Sequence, residues 1–214
     1  MVHAVIGDVV GSRQASDQRH LLEDLATELD WVNSQVEAVQ ALAQTIGDEF
    51  QGVYSTLAAA LDATLLLRLR RFIADPRSPA GLRFGIGEGE IVQAPVAEPP
   101  YGQSGTAWWK AREAIDRIEG NATRNRWPRS AQTAFAGSEP AFEAAVNAFL
   151  LTRDALLARA DRSDARICLG LFLGESQREV AEDLGVTQPA VAQRSADKGW
   201  HAVWHAHSLF GGGS

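Results

Sequence analysis

A glycine–aspartate turn flanked by apolar residues constrains the fold of this chain more than any other stretch. It reads Thr45-Ile46-Gly47-Asp48-Glu49-Phe50-Gln51-Gly52-Val53-Tyr54. Gly47 supplies the positive φ angle that a tight hairpin turn requires, and Asp48 tolerates the second turn position. The sequence therefore predicts a hairpin of two strands over about residues 36–55 with an acidic side chain at its turn.

A second acidic strand end lies near the start of the chain, in Ile6-Gly7-Asp8-Val9-Val10-Gly11-Ser12-Arg13. Residues 2–9 are rich in valine and isoleucine, which predicts a buried strand that Gly11 and Ser12 end. Leucines at helical spacing follow, and Asp17 is the predicted N-cap of that helix. This strand therefore ends, like the hairpin, beside an aspartate.

The later elements extend this pattern to an α+β fold. A second long helix, a glycine-rich strand over residues 81–92, a third helix from Ser104 or Thr106 and a strand around 127–135 give the order βαββαβαβ. The first six elements have the order of the ferredoxin-like βαββαβ fold, in which antiparallel strands carry helices on one face. Its first strand lies next to the hairpin, so we expect Asp8 and Asp48 near each other at one end of the sheet.

The composition changes from Ser138 onward to an all-α pattern. Two amphipathic helices precede Gln177–Val191, which fits a helix-turn-helix because small Ala181 permits close helix approach and Gly185 makes the turn. We therefore predict a sheet domain over 1–136, a helical linker and helix-turn-helix domain over 137–210, and a flexible tail over 211–214.

Composition excludes several classes of protein. Apolar residues make up 45% and charged residues 22% of 214 residues, so the chain can bury a sizeable core. We find no apolar run of membrane-spanning length and no signal-peptide pattern, and Cys168 alone cannot form an internal disulfide. We expect a cytoplasmic protein without membrane contact.

The net charge of −7 argues against bulk electrostatic attraction to nucleic acid, so any DNA contact needs a local patch of positive charge.

Two carboxylates that converge beside a glycine-containing loop suit magnesium and phosphate. Mg²⁺ prefers hard oxygen ligands, usually one or two carboxylates completed by water and substrate phosphates. Asp8 and Asp48 are the predicted metal ligands, although each alone is also a common turn former or cap. Backbone N–H groups near a helix start can face phosphate oxygens. The predicted nucleotide-binding loop is Val10, Gly11, Ser12 and Arg13.

These motifs carry a resemblance to known proteins. Ile6–Ser12 resembles the first metal motif of class III nucleotide cyclases, and Gln44–Phe50 resembles their second metal hairpin and the turn of diguanylate cyclases. Leu82–Ile91 resembles the strand that follows. Together with Trp108–Ala114 and the terminal helix-turn-helix, the chain most resembles the SatD family over most of residues 1–200. The resemblance implies a cyclase-like palm joined to a C-terminal helix-turn-helix module.

The resemblance also assigns roles to single residues. Arg112 matches the arginine that serves the transition state in cyclases, but Trp108 replaces the asparagine that acts with it, and Gln44 replaces a purine-recognising lysine. Gln44 and Trp108 remain candidates for nucleotide contact, Trp108 by stacking or, alternatively, as a core residue. Glu49 is a candidate base or ligand, or an exposed turn carboxylate. Because an asparagine donor is lost, the match implies nucleotide binding more than cyclisation.

The predicted recognition helix presents four polar side chains for DNA. Glutamine and arginine side chains can read adenine and guanine edges. Residues 137–214 nevertheless carry seven Lys or Arg and ten Asp or Glu, a net charge of −3. DNA binding would therefore need a dimer, and a packing or oligomerisation role is the alternative. The four candidates are Gln188, Gln193, Arg194 and Lys198.

The leading hypothesis is a SatD-like regulatory protein. Its palm binds a nucleotide with Mg²⁺, it binds DNA through the helix-turn-helix, and it forms a homodimer. The alternative is an active nucleotidyl cyclase or other phosphoryl-transfer palm enzyme, in which Arg112 and Glu49 are catalytic. A third possibility is an assembly module whose palm has lost its ligands.

Overall fold

The computed structural model describes residues 1–14, 17–74, 81–94, 98, 100–124 and 127–211, with the backbone alone for residues 14 and 120–124. The helix end predicted at the prolines of 75–80 and residues 212–214 of the predicted tail lie outside the described residues.

The described residues form seven strands: β1 (Val2–Val9), β2 (Gln40–Gln44), β3 (Phe50–Tyr54), β4 (Leu82–Gly89), β5 (Val92–Gln93), β6 (Gln103–Ser104) and β7 (Thr133–Ala136). They form eight α-helices: α1 (Gln18–Gln35), α2 (Leu57–Ala74), α3 (Thr106–Arg124), α4 (Pro140–Leu157), α5 (Arg162–Phe172), α6 (Gln177–Leu184), α7 (Gln188–Lys198) and α8 (Trp200–Phe210).

The main sheet has five strands in the order β2-β3-β1-β4-β7. Strand β1 is antiparallel to both β3 and β4, whereas β7 is parallel to β4. The first six elements therefore occur in the predicted order, with β1 beside the hairpin. The short β5–β6 ribbon and helix α8 were not predicted.

The larger apolar core fills the face of the sheet that α1 and α2 cover. Val5 and Val9 of β1 point to this face with Phe50 and Phe84 of the neighbouring strands. The same cluster continues into the C-terminal helices and includes Trp200 of α8. The domain boundary after residue 136 stays a prediction, and buried apolar contacts run across it.

The two helices of the first six elements, α1 and α2, lie on one face of the sheet as expected, and α3, which follows those elements, lies on the opposite face. Helix α3 packs directly on β4, because Gly85 and Gly87 leave room for its backbone. A Cβ atom at Gly87 would lie 2.2 Å from the carbonyl oxygen of Ala107, and one at Gly85 would lie 2.0 Å from that of Ala111. The glycine-rich composition of β4 is therefore a packing requirement.

A buried carboxylate fixes the start of β7. Asp154 of α4 is fully buried and accepts hydrogen bonds from the backbone N–H groups of Gln132 and Thr133, at 2.7 and 2.8 Å. It also pairs with Arg68 of α2, at 2.6 Å, and with Arg153. This network ties the sheet edge to α2 and α4. No helix among the described residues has the length and apolar character needed to cross a membrane.

Candidate functional site

The hairpin turn brings its aspartate to the end of β1, as predicted. Gly47 adopts a φ of 64°, and the backbone N–H of Thr45 donates to the carbonyl oxygen of Glu49 at 2.9 Å. One carboxylate oxygen of Asp48 accepts a hydrogen bond from the backbone N–H of Val9, at 3.2 Å. Asp48 therefore lies directly beside the strand end that carries Asp8.

Asp8 is held by an arginine that the sequence reasoning did not assign to the site. In the antiparallel register of β1 and β4, Asp8 lies opposite Arg83. The guanidinium donates from Nε to Oδ1 at 2.9 Å and from Nη2 to Oδ2 at 2.8 Å. These hydrogen bonds raise the pKa of Arg83 above its ordinary value, and Glu119 of α3 adds a weaker contact at 3.4 Å. Arg83 thus places a positive charge beside the predicted metal ligand.

The donor set at this edge suits a hard cation. In the part of the chain that the structure describes, no group of three or more His, Cys, Asp or Glu side chains is arranged to hold a metal. Two carboxylates with water and phosphate oxygens are nevertheless sufficient for Mg²⁺. Oδ1 of Asp48 has no hydrogen-bond partner among the described residues, and each Asp8 oxygen keeps a lone pair that Arg83 does not use. Asp8 and Asp48 therefore supply the kind of oxygen donors that Mg²⁺ uses together with phosphates, and Mg²⁺ binding by them stays a prediction.

The two predicted catalytic residues pair with each other. Nη2 of Arg112, on α3, donates to both carboxylate oxygens of Glu49, each at 2.8 Å. Both side chains remain partly exposed, at 47% for Arg112 and 31% for Glu49. The pair connects the hairpin turn to α3 and leaves the guanidinium open to solvent on its other side.

The predicted phosphate loop differs in part from the expectation. Residues 12–14 form a single 3₁₀ turn, and helix α1 begins only at Gln18. The backbone N–H of Val10 donates to the carbonyl oxygen of Gly81 at 2.8 Å, so it is not available to a phosphate. Gly11, with a φ of 77°, and Arg13 are exposed and remain candidates, as does half-buried Ser12.

Two further predicted contacts have packing roles in the structure. Gln44 donates from Nε2 to the carbonyl oxygen of Leu22 in α1, at 3.1 Å. Trp108 is only 8% exposed and packs in the apolar cluster between α3 and the sheet, which includes Ile6 and Val53. The structure therefore favours the core alternative for Trp108, and no aromatic face is presented at this position for a base.

The family model described as the SatD family matches residues 2–202 of this chain. The chain belongs to the SatD family. No curated protein matches it at a significant level.

Solved structures of nucleotide cyclases resemble this SatD-family chain distantly. A bacterial light-regulated adenylyl cyclase has a TM-score of 0.43 at 13% identity, over 63% of this chain and 42% of the other. The GGEEF domain of a diguanylate cyclase from Vibrio cholerae has a TM-score of 0.39 at 16% identity, over 56% and 77%. The adenylyl cyclase CyaB from P. aeruginosa has a TM-score of 0.36 at 13% identity, over 56% and 70%.

The predicted helix pair of this SatD-family chain is present as α6 and α7, joined through Gly185 with a φ of 66°. Val191 is buried as predicted, and Thr187 occupies the N-cap position of α7 without a side-chain capping bond. The structure therefore contains the expected helices and turn, and DNA binding by them stays a prediction.

Both cations predicted to contact DNA are engaged by carboxylates of α5 and its N-cap. Arg194 donates from Nε to Asp164 at 2.7 Å and from Nη2 to Asp161, and Nζ of Lys198 lies 3.5 Å from Asp164. Burial alone would raise the pKa of Asp164, but the bonds from Arg194 and from the backbone outweigh it and lower that pKa. Arg194 and Lys198 therefore hold α7 against α5.

The remaining exposed surface of α7 offers little positive charge. Gln188 donates to the side chain of Gln177 at 2.6 Å, and Gln193 is exposed beside Asp197. Phosphate contacts from Lys and Arg supply most of the non-specific affinity for DNA. DNA contact by these residues stays a prediction, and the arrangement of charge counts against it.

Proposed function

We propose that this SatD-family protein binds a nucleotide with Mg²⁺ at the edge of the sheet where Asp8 and Asp48 meet. The observation that carries the proposal is the hydrogen bond from the Val9 N–H to the Asp48 carboxylate, because it places that carboxylate at the end of β1 beside Asp8. The ferredoxin-like, cyclase-like palm predicted from the sequence accounts for this convergence, since it sets the hairpin against the first strand.

Each residue has a distinct role in this proposal. Asp8 and Asp48 would hold Mg²⁺, which supplies positive charge that neutralises phosphate oxygens. Arg112 offers a guanidinium that recognises phosphate in a bidentate manner. In the structure its partner is Glu49, so a phosphate would compete with that carboxylate for Arg112.

The proposal is limited to nucleotide binding, because the contacts of Arg112 and Glu49 do not support cyclisation of the nucleotide. Arg112 is paired with Glu49, and the position of the cyclase asparagine holds the buried Trp108. A missing donor of this kind costs roughly 10²–10³ in rate. Chromatography of ATP or GTP reactions tests the alternative of an active cyclase directly.

Isothermal titration calorimetry of purified protein with a panel of nucleotides, with Mg²⁺ and with a chelator, tests the proposal. Asp48→Asn keeps an acceptor for the Val9 N–H but removes the charge. We expect it to weaken Mg²⁺-dependent nucleotide binding by at least about tenfold, the lower end of the loss when a supporting residue of a metal site is removed.

Asp30→Asn, at an exposed position of α1, is the matched control and should bind as the wild type does. Absence of Mg²⁺-dependent binding for every nucleotide, or equal binding by Asp48→Asn, would contradict the proposal. The homodimer stays a prediction, and light scattering of the same samples with and without ligand tests it.

A further inference from the structure

We infer that a cavity beside Arg83 receives the purine base of the bound nucleotide. The inference rests on the proposed function and adds the position of the base to it. The cavity has a volume of about 370 Å³ and lies at the same edge of the sheet as Asp8, on the side toward β7. Ligand pockets in proteins begin at roughly 300 Å³, so it has the size for one small ring system.

The walls of the cavity suit a flat apolar ring. Trp127, Ile118 and Val10 line it from three different parts of the chain. Trp127 is half-buried and packs against the cluster between α3 and β7 that contains Ile118. Stacking on an indole ring is a sequence-tolerant way to bind a nucleobase, because every base has a π-face.

One polar group of the cavity lacks a hydrogen-bond partner among the described residues. Oε1 of Gln132 is buried and accepts no hydrogen bond from them. Nε2 of Gln132 donates a hydrogen bond to the carbonyl oxygen of Arg129 at 3.5 Å, which orients the side-chain amide. The backbone N–H of Gln132 donates to Asp154. A buried acceptor without a donor is unfavourable. Oε1 is closed off from the cavity in this side-chain conformation, so a ligand N–H group would satisfy it after the Gln132 side chain, which lines the cavity, turns toward the ligand.

Two guanidinium groups line the cavity, those of Arg83 and Arg129, and that of Arg129 can supply the complementary donors. Arg83 is committed to Asp8 and Glu119, whereas Arg129 is exposed and has no side-chain partner among the described residues. A purine base carries N–H donors for Gln132 and ring or carbonyl acceptors for arginine. Because Arg83 contacts both the cavity and Asp8, a base in the cavity would lie next to phosphates at the proposed metal site.

Nucleosides separate this cavity from the phosphate site, because they lack phosphate and need no metal. Saturation-transfer NMR and calorimetry with guanosine and adenosine, in the presence of a chelator, measure binding to the cavity alone. We expect Trp127→Ala to weaken binding of the preferred nucleoside about tenfold, as truncation of a stacking partner does. Trp109→Ala, at a side chain that is 67% exposed on α3, is the matched control.

Gln132→Leu distinguishes a binding role from a structural one. It removes the unpartnered acceptor but keeps the backbone bond to Asp154. We expect weaker nucleoside binding together with a thermal unfolding midpoint no lower than that of the wild type. A purely structural role would lower the midpoint without a specific loss of affinity.

The outcomes separate the two proposals. The base site is supported if Trp127→Ala and Gln132→Leu weaken nucleoside binding and Asp48→Asn leaves it unchanged. If Trp127→Ala binds nucleotides with Mg²⁺ as strongly as the wild type does, and the wild type binds no nucleoside, the base site alone is overturned. Nucleoside binding in the cavity without any effect of Mg²⁺ on nucleotides supports the base site and overturns the metal site.

Discussion

At the residue scale, Arg83 determines how much negative charge Asp8 offers to a cation. Its guanidinium contacts both carboxylate oxygens, and both side chains are about three-quarters buried, so the pair is weakly screened by solvent. Two unit charges at about 4 Å interact by roughly 4 kcal/mol at the effective dielectric constant of a protein surface. A cation bound at Asp8 would therefore be repelled by Arg83, and the proposed Mg²⁺ binding would depend on the charge of the phosphates that accompany the ion.

Arg83→Gln is expected to strengthen binding of the metal alone. The substitution removes one positive charge from the edge of the site and keeps a side chain that can donate to Asp8. A gain of about 1.4 kcal/mol, or tenfold in affinity, is a conservative fraction of the Coulomb energy. Calorimetry with Mg²⁺ or Mn²⁺ in the absence of nucleotide measures it.

Arg117→Gln is the matched control, because Arg117 on α3 pairs with Glu113 and Glu143, away from Asp8. Equal metal affinity in the wild type and Arg83→Gln would mean that Asp8 does not hold the metal. Weaker affinity in Arg83→Gln would mean that Arg83 orients the ligand more than it repels the ion.

The sequence predicted where the acidic residues meet, but it did not predict what they contact. The turn chemistry of Gly47 and the strand order were sufficient to bring Asp48 to the end of β1. The pairing of Asp8 with Arg83 depends on the register of two strands separated by more than seventy residues, and a shift of one residue would move Arg83 to the other face. The contact between Glu49 and Arg112 depends in the same way on where α3 lies.

At the element scale, the contact of α3 with β4 fixes the position of Arg112. Glycine at alternate positions of β4 meets small residues one helical turn apart, Ala107 and Ala111, so the two backbones approach closely. The glycine-rich strand was recognised in the sequence, but its purpose depends on which face α3 covers. The sequence pattern alone does not distinguish a bulge, a bend and a close helix contact.

Gly87→Ala is expected to destabilise the protein by about 1–3 kcal/mol, the usual cost of inserting a methyl group into a packed site. Its Cβ would lie 2.2 Å from two backbone atoms of α3, which can move only together with the helix. Chemical denaturation measures the change in the free energy of unfolding. We also expect weaker nucleotide binding, because Arg112 moves with α3.

Gly211→Ala is the control for this prediction. Its new methyl group would meet nothing closer than 3.4 Å, and the φ of −83° suits any residue. If Gly87→Ala is as stable as Gly211→Ala, α3 does not pack as closely against β4 as the structure shows.

At the scale of the whole molecule, the C-terminal helices and the sheet share one core and several buried polar contacts. The Asp154 network joins α4 to α2 and β7, and a second contact joins α8 to α2. In that contact, Nδ1 of His207 lies 2.9 Å from Oδ1 of Asp62, while the ring packs edge-on against Phe149 and Phe172. Buried polar contacts through α2 therefore connect the edge of the sheet with the terminal helices.

The His207 contact makes docking of α8 sensitive to acid. Burial lowers the pKa of His207, and the nearby charge of Arg153 lowers it further, although Asp62 acts in the opposite direction. Nε2 is buried without a hydrogen-bond partner in the described part of the chain, so a proton added there would have no acceptor within it. The folded state therefore favours neutral histidine. Its contribution to stability is complete above the unfolded pKa of about 6.5 and is lost as the pH falls below that value.

We expect the free energy of unfolding to fall between about pH 7 and pH 5, with a slope of up to about 1.4 kcal/mol per pH unit from this one group. His207→Phe fills the space between Phe149 and Phe172 but takes up no proton, so its stability should depend less on pH in this range.

His3, whose pKa burial also lowers, contributes equally to both proteins and cancels in the comparison. His201→Phe, at an exposed position of α8, should keep the slope of the wild type. Equal slopes for His207→Phe and the wild type in denaturant titrations across this range would mean that His207 does not couple protonation to the docking of α8.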